Sequence, residues 1–116
     1  MKISHLDHLV LTVADIATRC QFYQSALNFE VITFAENRKA LRFGTQKINL
    51  HQVGKEFEPK ALHPTAGSAD LCFIAETPID EVMAHLQNRN INIIEGPIQR
   101  TGAMGKILSV YLRDPD

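Results

Sequence analysis

Two histidines and an aspartate are the residues of this chain most able to do chemistry: His8 in LDHLVLTV, His51 in KINLHQV and Asp70 in ADLCFIA. Imidazole nitrogens and a carboxylate that converge are what a divalent ion of the zinc, nickel, manganese or iron type requires. Their spacing is not a compact motif such as H-E-x-x-H, so any convergence must come from the fold. Taken singly, they have plainer readings: His8 as a hydrogen-bonded core residue and Asp70 as a strand-end cap.

The elements that would position them can be read along the chain. Leu6 to Val13 is rich in Leu and Val and predicts a strand. Asp15 is placed to cap a helix, whose Ile16, Cys20, Tyr23 and Leu27 share one face and whose exit falls at Asn28. Three strands are expected next, over 29–34, 39–43 and 47–53, with turns at Glu36-Asn37 and Gly44-Thr45. After a loop containing Pro59 and Pro64 the order restarts. Ala69 to Ala75 reads as a strand, and Thr77-Pro78 with Asp80 as a helix start. Ile79, Val82, Met83 and Leu86 supply the apolar face of that helix. Strands are then expected over 91–94 and 107–113, separated by EGP. The two caps, Asp15 and Thr77, lie 62 residues apart, and the same interval carries His8 onto Asp70. The chain therefore reads as α+β, two βαβββ modules on one domain: 1–53, a linker at 54–68, and 69–116. The last strand of the second module is missing, although Asp114-Pro115-Asp116 reads as the turn that would introduce it.

Alternation along strands sorts side chains between faces. One face of the expected sheet carries apolar residues to meet the helices. The other carries His8, Thr12, Asn49, His51, Asp70, Cys72, Ser109 and Tyr111, a polar lining for a cleft if the sheet curls inward.

The totals narrow the partners. The chain has 116 residues, 45% hydrophobic and 22% charged, an ordinary globular composition. A net charge of −1 offers no basic surface for nucleic acid. No apolar run approaches membrane-spanning length, and the N-terminus lacks a signal-peptide core. Cys20 and Cys72 read as reduced, buried thiols of a cytoplasmic protein.

The stretches LDHLVLTVADI, FYQSALNFEV, INLHQVGKEFEPKA, GSADLCF and EGPIQRTGAMGKILSVYLRDPD together resemble the vicinal oxygen chelate superfamily, which includes glyoxalase, bleomycin-resistance and extradiol dioxygenase proteins. They are most similar to its branch of glyoxalase domain-containing protein 5 and bacterial lactoylglutathione-lyase-like proteins. The resemblance covers the whole chain and implies paired modules curved around a central metal. It implies metal ligation by His8 and His51, with Asp70 as a third ligand, the proton-handling group, or the partner that orients a histidine. Asn49, Tyr111 and Arg42 become candidate substrate contacts, with a solvated surface charge as the plain alternative for Arg42. Members of the superfamily continue past DPD into a strand bearing a glutamate ligand. The intact RDPD turn favours a fragment of a longer protein over loss of that strand.

The function expected is a metal-dependent lyase or isomerase of the glyoxalase type, acting on a small oxygenated metabolite chelated through two adjacent oxygens. A ligand-sequestering protein of the bleomycin-resistance type is the alternative, and an iron-dependent extradiol-type dioxygenase a lesser one. A homodimer is expected.

Overall fold

The computed structural model describes all residues, 1–116. The first module forms as expected. Strand β1 (His8–Val13) leads into helix α1 (Ile16–Leu27). Strands β2 (Glu30–Phe34), β3 (Arg38–Phe43) and β4 (Gln46–Gln52) follow. Asp15 caps α1: its carboxylate accepts from the Thr18 N–H at 2.9 Å and from the Thr18 hydroxyl. Asn28 closes it in the left-handed region at φ 55°, a conformation Asn tolerates better than most residues.

The four strands make a mixed sheet in the order β1-β4-β3-β2. β1 runs parallel to β4, while β2–β3 and β3–β4 are antiparallel. The parallel pair is possible because α1 and two further strands separate its members. One face of this sheet packs on α1 through Leu11, Val13, Leu41, Ile48 and Leu50, against Cys20, Tyr23 and Ala26. Phe29 stacks on Tyr23 and on Phe43, with ring centroids 5.6 and 4.5 Å apart.

The buried face of α1 keeps Cys20 and Tyr23 of the expected set, but Arg19 and Ala26 are buried while Ile16 and Leu27 are only half-buried. Arg19 is buried beside Cys20 and Tyr23, 1% exposed. It forms an ion pair with Asp116, whose carboxylate also accepts from the Ala14 N–H at 3.3 Å. The DPD segment thus turns back onto the first helix.

The chain divides into two compact units, Met1–Asp70 with Pro115–Asp116, and Leu71–Asp114. The second unit holds helix α2 (Ile79–Asn88) and the antiparallel hairpin of β5 (Glu95–Gly102) and β6 (Gly105–Tyr111). The expected faces of α2 are recovered, with Leu86 fully buried and Ile79, Val82 and Met83 half-buried. Asp80 and Glu81 occupy its first turn, where the helix dipole favours acids, but Pro78 rather than Thr77 stands at the cap.

Two expected strands of this module do not form. Residues 69–75 and 91–94 are in no strand, although the Ile94 N–H donates to the Tyr111 carbonyl at 2.8 Å. A strand exists only through its neighbour. β1 pairs solely with β4, the last strand of its module, and no strand between Leu71 and Asp116 fills that role for residues 69–75. EGP, in turn, begins β5 instead of breaking a strand. The register shifts between Glu95 and Ile98, and Gly96 lies at φ 108°, where an added Cβ would sit 2.4 Å from the Ser109 carbonyl oxygen.

Candidate functional site

β4 lies between β1 and β3, so its side chains facing away from α1 are flanked on both sides. Asn49 stands level with Val10 of β1 and Ala40 of β3, and His51 level with Thr12. Asn49 is 7% exposed and its Oδ1 has no hydrogen-bond partner. His51 is 1% exposed, with the Phe57 ring edge-on to it at 5.8 Å. Burial pushes the His51 imidazole below its ordinary pKa, the Arg38 charge adds to this, and Glu56 opposes it. His51 is therefore neutral at pH 7, able to accept a hydrogen bond or bind a cation through a ring nitrogen.

Arg38 opens β3 beside this pair. Its guanidinium carbon lies 4.6 Å from the Phe57 ring centroid and 5.1 Å from that of Phe34. The Lys47 ammonium sits 4.3 Å from the centre of the Phe34 ring. These contacts gather two cations and two aromatic rings around the strand that carries Asn49 and His51. Sequence reasoning passed over Arg38, Lys47, Phe34 and Phe57. Arg38 and Lys47 follow from alternation once the β3–β4 register is known, whereas Phe57 lies in an irregular segment that no periodicity marks.

The other expected site residues are placed differently. His8 is half-exposed, and its Nδ1 lies 2.8 Å from the Asp7 carboxylate. That hydrogen bond is the main reason the Asp7 carboxyl is held below its usual range. His8 stands level with Lys47 and not with His51, four residues away on the parallel strand, about 13 Å at the strand rise. Asp70 is exposed and lies outside any strand or helix. The structure does not bring His8, His51 and Asp70 together, and no group of three His, Cys, Asp or Glu side chains is gathered closely enough to hold a metal ion. Metal–ligand bonds of about 2 Å leave little slack for such separations. Arg42 is paired with Glu30 across β2 and β3, at 2.8 Å. Tyr111, in the second unit, accepts from Arg100 Nε at 3.1 Å, and Arg100 also meets Glu95 at 3.0 Å. Both cysteines are free thiols, but only Cys20 is buried as expected; Cys72, in a segment that joins no strand, is exposed.

The βαβββ module with polar residues on the far face of its sheet is an arrangement known from other proteins. The Glyoxalase/Bleomycin resistance protein/Dioxygenase superfamily matches residues 5–116. The chain belongs to this superfamily. Among curated members it is 60% identical to Virulence protein STM3117 of Salmonella typhimurium, over all of this chain and 81% of that protein. It is 53% identical to the Glyoxalase domain-containing protein RDO1 of Mycosarcoma maydis, spanning 65% of its length. The crystal structure of the Salmonella protein superposes with a TM-score of 0.98, covering 100% of this chain and 92% of that one. Two more distant solved structures share the fold. A lactoylglutathione lyase from Agrobacterium tumefaciens has a TM-score of 0.72 at 20% identity, covering 99% of this chain and 89% of that one. The antibiotic-binding protein TnmS3 from Streptomyces has a TM-score of 0.73 at 20% identity, covering 100% of this chain and 91% of that one. No helix of the chain is long and apolar enough to cross a membrane.

Proposed function

We propose that this protein binds a small oxygenated metabolite on the face of the four-stranded sheet opposite α1, with Asn49 and His51 as the central polar contacts. One observation carries this reading. Asn49 is buried in the middle strand with an unmet carbonyl oxygen, next to a buried neutral histidine. An unsatisfied buried polar atom costs about 1–3 kcal/mol, and a ligand that donates a hydrogen bond to it recovers that cost. TnmS3, an antibiotic-binding protein, carries the same fold, which supports ligand capture as a use of this architecture. A thermal-shift screen of 2-hydroxy acids, 2-keto acids and aldehydes tests the reading. Hits should lose their stabilisation in Asn49→Ala, and hits that survive that change would count against it.

The second reading is a metal-dependent lyase or isomerase of the lactoylglutathione-lyase type. The Asp7–His8 pair favours it, because a carboxylate on Nδ1 is the usual way a protein orients a metal-binding imidazole through Nε2. A divalent nickel, zinc, manganese or iron ion would supply Lewis-acid chemistry toward two adjacent substrate oxygens. His8, His51 and Asp70 as arranged in this chain do not fit such an ion, so no catalytic step is assigned to them. This reading therefore asks for a ligand from elsewhere, and a homodimer is the assembly we propose to supply it. Free thiols at Cys20 and Cys72 suit the reducing cytoplasm.

A further inference from the structure

We infer that Arg38 and Lys47 form an anion clamp beside Asn49, so that the metabolite bound on this face carries a carboxylate or similar small oxyanion. This rests on the ligand-binding reading above and names the class of ligand. Three arginines of the chain, Arg19, Arg42 and Arg100, each have a carboxylate partner. Arg38 has none within ion-pair distance, although it is half-buried and its Nε is buried without an acceptor. Lys47, level with His8 on the neighbouring strand, likewise has no ion pair.

The acids nearby are already engaged. Glu30 holds Arg42, and Glu56 accepts from the Gly54 N–H at 2.9 Å. Asp7, whose field reaches Lys47, is held by His8. Two aromatic rings lie against the Arg38 guanidinium, whose planar N–H groups match the geometry of a planar oxyanion and lack one here at the buried Nε. Lys47 adds a point charge from the next strand over one of the same rings. The bland alternative is that Arg38 only braces Phe57 against the sheet.

Lactate and lactamide separate these readings. Both carry two adjacent oxygens on the same carbon skeleton, and they differ in charge. Each is titrated into the protein while the Asn49 side-chain amide and the Arg38 Nε–H are followed by ¹H–¹⁵N NMR. Lactate should move both signals and bind about tenfold tighter than lactamide, the scale of one charge-assisted contact. Arg38→Gln and Lys47→Gln should each bring the two affinities to within about threefold. Lys47→Gln keeps the test valid if Arg38→Gln does not fold. A clamp is overturned if Asn49 responds equally to both compounds, the result a brace gives, or if the preference for lactate survives both substitutions. If neither compound moves Asn49, the ligand-binding reading itself falls and takes the clamp with it.

Discussion

Asp116→Ala tests the buried pair that returns the DPD segment to the first helix. The Arg19 side chain is 1% exposed and that of Asp116 10%, so the pair sits out of water. Removing one partner of a buried pair costs about 3–5 kcal/mol, because the remaining charge stays desolvated. The lower end applies here, since Asp116 is a tenth exposed and Arg19 has further contacts. The hydrogen bond from Ala14 N–H is long and adds little. A loss of about 3 kcal/mol should lower the urea midpoint by about 1–3 M, at slopes usual for a small protein. Far-UV circular dichroism at pH 7 follows the transition. Changing Arg19→Met together with Asp116→Ala should recover most of the loss, because no charge is then left buried. A single substitution costing under about 0.5 kcal/mol would place Asp116 in the class of surface pairs and refute the burial argument.

The depressed pKa of His51 sets a pH dependence. The unfolded chain binds a proton near the ordinary value of 6.5, which the folded chain refuses until lower pH. Stability from this group is therefore complete above about pH 6.5 and is lost as pH falls toward the folded pKa; His51→Gln should flatten that limb, and an unchanged limb would contradict it. After loading with nickel, manganese or zinc and gel filtration, elemental analysis should find well below one metal per chain, because the three expected ligands stand apart. A ratio near one that is lost in His8→Ala would overturn this and favour the lyase reading.

What could be read from the sequence was what neighbours in sequence decide. Asp15 and Asn28 bound α1 because capping depends on a few adjacent residues, and the strands of the first module fall within a residue or two of expectation. The second module shows the limit of that reading. Residues 69–75 carry as good a strand pattern as β1, but pairing is a property of two segments, and theirs lacks the second. Register was equally hidden. His8 and His51 sit on the same face by alternation, yet only the β1–β4 alignment reveals that Lys47 and not His51 stands beside His8. Arg19 was overlooked because an arginine at a core-facing helical position reads as solvated until its acid is known, and that acid is at the other end of the sequence.

The return of Pro115–Asp116 to the first unit also changes what kind of object the second unit is. The chain leaves the first unit at Asp70 and rejoins it at Pro115. An added Cβ on Gly67 would lie 3.2 Å from the Asp116 carbonyl oxygen, so these two residues of the first unit are neighbours. Leu71–Asp114 is thus an insertion between two parts of the first unit, and a single nick within it would leave both pieces joined to the same host. Replacing the insertion by a short flexible bridge would join two residues of the same unit. Every residue assigned to the polar face of β4 lies before Leu71 and would be retained through such an exchange.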